Sequence, residues 1–277
     1  MIRFKSFSSG SCGNCSFLGT DAGGTLKGVL IDAGVGWRSF LRSLVGERLD
    51  AGSIGAILIT HDHYDHIRHL GSLSKKLSVP VISTETILHA LRHHPYTGEF
   101  TGRAMACGEW IPVAEGIEAL CFRVPHDAAE TVGYAIRLEG RLFVIMTDIG
   151  EMTSEALSLA RQADTVVIES NYDPQMLIGG SYDYALKIRI SKGHGHLSNP
   201  ACADALREIW HPGLRNVFLC HLSANNNTPE LALASARAAL SSVGALLSGE
   251  VPQPGGCDRP LALRVLPRAL ATPLFTL

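Results

Sequence analysis

Short apolar runs recur along this chain, and between them apolar positions return every three or four residues. The runs are GVLI (28–31), GAILI (55–59), VPVI (79–82), ALCFRV (119–124), GYAIRL (133–138), RLFVIM (141–146), TVVIE (165–169) and NVFLC (216–220). Their length and β-branched content predict buried strands. The intervening spacing predicts helices over about 66–77, 84–93, 153–163, 199–209 and 228–243, the last two Ala-rich and suited to lie on a sheet face. Strand and helix alternate without a solenoid or propeller period, which predicts one α/β domain over 1–250. The Pro/Gly-rich stretch 251–277 reads as an irregular C-terminal extension.

Composition narrows this picture. With 46% hydrophobic and 18% charged residues in 277, the chain can bury a large core. A net charge of −2 gives no global basic field, so nucleic-acid binding would need a local patch. The seven scattered cysteines, and the absence of a signal-peptide pattern at MIRFKSF, predict a reduced, cytoplasmic protein. No apolar run nears the roughly 20 residues that cross a bilayer, so no membrane partner is expected.

Chemistry concentrates at THDHYDH, residues 60–66. His61, His63, Asp65 and His66 follow a buried-strand run at spacings of two, which cannot line one helix face, so they belong on a loop at a strand end. Imidazole and carboxylate suit Zn, Mn or Fe, and so many donors are more naturally divided between two ions than crowded around one. His126, Asp148 and His221 each follow another apolar run. Four strand ends thus carry metal-type ligands, as expected where an open α/β sheet builds its site at one edge.

Together HDHYDH, His126, Asp148 and His221 resemble the metallo-β-lactamase superfamily. The resemblance implies a four-layer αββα sandwich with a dinuclear centre. It implies one ion on His61, His63 and His126, a second on Asp65, His66 and His221, Asp148 bridging both, and Asp32 bracing the histidine loop. SSGSCGNC, HDAAETVGY (126–134), TDIG (147–150), ESNYD (169–173), GHLSN (195–199) and HLSANNN (221–227) further resemble the YycJ/WalJ group of bacterial exonucleases within that superfamily. This implies a DNA substrate in preference to RNA, degraded 5′ to 3′ with two divalent ions, Zn²⁺ or Mn²⁺, with Fe as a further option. The implied catalytic set is Asp65, Asp148, His196 as acid for the leaving oxygen, and Glu169 steering His196. A small-molecule phosphodiesterase or thioester hydrolase on the same centre is the alternative; a metal-binding module without turnover fits the intact ligand set less well. The oligomeric state is not indicated.

Substrate contacts are expected at two places. Ser198 and Asn199 look like a helix N-cap, where phosphate binds well. Lys187, Arg189 and Lys192 form a basic cluster nearby that either pairs with phosphates or is a solvated helix face. In SSGSCGNC, Cys12 and Cys15 supply only two of the four ligands a structural zinc needs, and the pair runs from a Gly turn into a strand, unlike a redox CxxC. The stretch reads instead as a turn between the first two strands, bringing Ser11 and Asn14 toward the metal or the phosphate.

Overall fold

A computed structural model describes residues 1–22, 24–249 and 260–277. Its strands and helices run β1 (Ile2–Gly10), β2 (Gly13–Ala22), β3 (Thr25–Ile31), α1 (Trp37–Leu44), β4 (Ile54–Leu58), α2 (Tyr64–Ile67), α3 (Leu70–Leu77), β5 (Val81–Ser83), α4 (Glu85–His93) and β6 (Gly102–Ala104). They continue with β7 (Ile111–Ala114), β8 (Ile117–Arg123), β9 (Val132–Leu138), β10 (Arg141–Met146), α5 (Ser154–Ala160), β11 (Thr165–Glu169), α6 (Pro174–Gly179) and α7 (Tyr184–Ser191). The last are α8 (Asn199–Ile209), β12 (Asn216–Cys220), α9 (Pro229–Ser242), β13 (Ala262–Val265) and β14 (Phe275–Thr276). They form two compact units, one of Met1–Arg123, Ala128–Arg141 and Pro267–Leu277, the other of Val124–Asp127 and Leu142–Leu266.

The first unit holds a sheet in the order β14-β1-β2-β3-β4-β5-β6. β1, β2 and β3 are antiparallel, and β3 to β6 are parallel. Seven of the eight predicted runs lie within or largely within strands. VPVI shifts to Val81–Ser83, since Pro80 has no N–H for a ladder. β3 and β4 are almost wholly buried, and because they are parallel, Asp32 and His61 leave the same sheet edge. The predicted 66–77 helix is two helices, α2 and α3. His69 breaks them: its N–H bonds the Ala33 carbonyl at 3.1 Å, and its ψ of 11° is not helical.

SSGSCGNC is the β1–β2 hairpin, pairing Ser9 with Asn14 and Gly10 with Gly13 around Ser11 and Cys12. Gly13 has φ +145°, and a Cβ there would meet the Gly34 carbonyl oxygen at 2.6 Å, so this turn requires glycine. Cys12 is exposed while Cys15 is buried, and burial pushes the Cys15 thiol far above its ordinary range. The two sulfurs therefore serve neither one metal nor a reactive pair.

The second unit carries parallel β10, β11, β12 and β13. α8 covers it with Cys202, Ala203, Ala205, Leu206 and Ile209, and α9 with Ala232, Ala236, Ala239 and Leu240. Side chains this small let a helix lie close on its support. The irregular-tail expectation fails for 260–277: β13 joins β12, and β14 joins β1. LALRV is a legible alternating run, hidden in the reading by the prolines around it. Residues 251–259 of that extension lie outside the described ones. Both units combine sheet and helix, as the αββα class requires.

Candidate metal centre

In the first unit the centre begins where β3 and β4 end. Asp32 is buried, and its N–H bonds the Leu58 carbonyl at 2.8 Å. Its carboxylate accepts the Thr60 N–H at 2.9 Å, the Thr60 hydroxyl at 3.0 Å and His66 Nδ1 at 2.7 Å. Thr60 Oγ1 in turn lies 3.0 Å from His61 Nδ1. The imidazoles of His61 and His66 are wholly buried and 4.1 Å apart by ring centroid, with His63 4.6 Å from His61. Asn14 Nδ2 donates to Asp65 Oδ2 and His66 Nε2, each at 2.9 Å. Two lone pairs thus converge on one amide nitrogen, which also donates to the Gly10 carbonyl, in an arrangement a cation would satisfy. Asn14 stands against metal-type donors, whereas Ser11 is exposed at the tip of the hairpin.

The second unit builds its cluster around Glu169, the last residue of β11 and fully buried. Glu169 Oε1 accepts His196 Nδ1 at 2.7 Å and His221 Nδ1 at 2.9 Å, and Oε2 accepts the N–H groups of Ile149 and Leu197. Burial alone would raise its pKa, but the charge on His196 and the hydrogen bonds from both imidazoles prevail and hold it well below the carboxylate range. Burial likewise lowers His196, and the Glu169 charge and hydrogen bond outweigh it, leaving that imidazole above its ordinary value. His126 donates Nδ1–H to the Gly195 carbonyl at 2.7 Å, and burial, the largest influence on it, lowers its pKa. Asp148 Oδ1 lies 3.3 Å from His221 Nδ1 and 3.8 Å from His126 Nε2. One ligand atom each from Asp148, Glu169, His196 and His221 falls within 4.8 Å of the others.

These residues fit divalent metal. His66, His126 and His221 each commit Nδ1 to an oxygen, from Asp32, Gly195 and Glu169 respectively. That bond fixes the tautomer and turns the Nε2 lone pair toward a ligand, the arrangement found behind metal-binding histidines. Asp32 (φ 62°), Asp148 (φ 25°) and His221 (φ 52°) are three of five described non-glycine residues with positive φ. Backbone in that region is held at a cost of order 1–3 kcal/mol and clusters at functional sites.

Two expected substrate contacts change character. Ser198 caps α8, its side chain accepting the Ala201 N–H at 3.2 Å. Asn199 is buried, and its amide is spent on Ser170 and Asn227, so it holds the loops together. Thr60, Asn171 (Nδ2 to the His221 carbonyl, 2.8 Å), Asn227 and the Gly195 carbonyl were not foreseen. The ESNYD and HLSANNN motifs contain two of them, but a buried amide that ties loops leaves no spacing signature.

Comparison with known proteins places this geometry. A model of the β-lactamase superfamily domain matches residues 27–221. Exodeoxyribonuclease YycJ of Bacillus anthracis is 32% identical over 247 residues, 88% of this chain and 90% of the relative. Exodeoxyribonuclease WalJ of Streptococcus pneumoniae is 31% identical over 233 residues, 83% and 85% of the two chains. The metallo-β-lactamase fold protein YhfI of Bacillus subtilis, at 12% identity, superposes over 98% of this chain and 99% of its own with a TM-score of 0.69.

Proposed function

We propose that this chain, which belongs to the metallo-β-lactamase superfamily and has its fold, is a metal-dependent exodeoxyribonuclease. The observation that carries the proposal is the Glu169–His196 pair, a buried carboxylate holding one imidazole beside a metal-type donor set. The names of the curated relatives support DNA as the substrate and exonucleolytic attack as the mode. The family pattern supports the ligand allocation: His61, His63 and His126 for one ion, Asp65, His66 and His221 for a second, with Asp148 common to both. Zn²⁺ or Mn²⁺ suits these donors. Divalent ions, when bound, supply Lewis acidity that activates water and offsets phosphate charge.

The chain's own residues do the rest. Glu169 holds His196 through Nδ1, so Nε2 is the nitrogen that hands a proton to the departing oxygen. The same carboxylate orients His221, so acid and metal ligand share one anchor. Asp32 does the equivalent for His66. Attack proceeds from the 5′ end, and the setting is cytoplasmic. The six described cysteines form no disulfide, which suits a reducing compartment, and no described helix is long and apolar enough to cross a membrane.

The test compares substrates. Metal-loaded protein should degrade DNA and, more slowly, an aryl phosphodiester, and Asp148→Ala should abolish both while reducing bound metal. Turnover of the aryl ester with DNA left intact would instead establish the small-molecule phosphodiesterase.

A further inference from the structure

Next to the Glu169 cluster stands a helix with no core to serve. Every residue of α7 escapes full burial, and Tyr184 at its start is 79% exposed, with Ile178 on α6 at 70%. Globular helices ordinarily form because one face is buried. α7 is held by polar ties instead, and these ties lead to the site. The Ile190 carbonyl accepts the His196 N–H at 2.9 Å, and the Lys192 carbonyl accepts that of Gly195 at 2.6 Å. Arg189 is ion-paired with Asp127, the neighbour of His126. Just before α7, the Tyr182 hydroxyl accepts Asn225 Nδ2 at 2.9 Å, four residues past His221. The helix is thus a solvated extension of the loops that carry His126, His196 and His221.

We propose that α7 is a docking rail for a single-stranded segment of the DNA substrate, with a base stacked on Tyr184 and backbone phosphates met by Lys187 and Lys192. This rests on the exodeoxyribonuclease reading. Its occupant follows from charge and surface together. Lys187 donates to the Ile178 carbonyl at 2.8 Å, Lys192 is exposed, and the helix has no acidic residue beyond its N-cap Asp183. An exposed ring beside cations is the combination that binds single strands without regard to sequence. Tyr184 lies six residues up the helix from Ile190, about 9 Å at 1.5 Å per residue. A base on Tyr184 is therefore a few nucleotides from the phosphate at His196, and only substrates longer than that can use it.

The experiment uses the metal-loaded full chain and fluorescent phosphorothioate oligothymidylates of two and ten residues, which resist cleavage, with binding read by anisotropy. Tyr184→Ala should weaken the decamer about tenfold and the dimer far less. Tyr184→Phe should restore the decamer, and Lys192→Gln should flatten its salt dependence by about one phosphate contact. Equal affinity of wild type and Tyr184→Ala for the decamer would overturn the proposal, as would a Tyr184→Ala effect that tracks dissociation of a dimer in sedimentation. Failure of the wild type both to bind DNA and to cut it would count against the exodeoxyribonuclease reading itself.

Discussion

At the scale of single residues, the site depends on carboxylates that touch imidazoles and that metal need not touch. Removing Asp32 takes the 2.7 Å partner from His66 and two more from Thr60. Asp32→Ala should lower metal affinity 10- to 100-fold, measurable by titration against a competing chelator. Glu169→Gln should be more severe for turnover, because an amide cannot accept from both His196 and His221 and from the N–H groups of Ile149 and Leu197 at once. We expect kcat on DNA to fall at least about 100-fold with the fold intact by circular dichroism. Gly34 is a purely steric counterpart. A Cβ there would overlap the Asp65 carbonyl oxygen, so Gly34→Ala should cost roughly 1–3 kcal/mol and displace α2, which carries Asp65.

Secondary-structure elements aim these residues, and here the sequence was readable in some places and silent in others. The candidate ligands were legible because each follows an apolar run: β4 leads to His61, β10 to Asp148 and β12 to His221. The Glu169–His196 partnership came from motif resemblance, since 27 residues separate them and no local period links them. α1 has a readable spacing at Trp37, Phe40, Leu41 and Leu44, with Phe40 and Leu44 buried, but at eight residues it gives only two turns of pattern. α6 carried a readable start, Asp173 capping ahead of Pro174. α7 carried the same kind of start, Asp183 capping ahead of Tyr184, but a helix without a fully buried residue offers no core-facing apolar period to read. One buried side chain braces the end of β4: the Tyr134 hydroxyl on β9 donates to the Ile59 carbonyl at 2.6 Å, two residues before His61. The Ser83 hydroxyl also donates to that carbonyl at 2.7 Å, so Tyr134→Phe removes one of its two side-chain donors and should destabilise by about 1 kcal/mol in denaturant unfolding.

For the whole molecule, metal donors on loops of both units make folding and metal binding linked equilibria. Ions that bind only the native state stabilise it by about 2.7 kcal/mol at a hundredfold excess over Kd. Stripping them with a chelator should therefore lower Tm by several degrees, and Asp32→Ala should blunt that drop because it already binds metal weakly. The central claim is that this chain removes nucleotides from DNA in a metal-dependent reaction, and the most direct measurement is digestion of end-labelled DNA by protein loaded with Mn²⁺ or Zn²⁺. The DNA should shorten progressively from the 5′ end, with shortening arrested by chelator and restored by added metal. DNA that keeps its full length under every metal loading would contradict the claim.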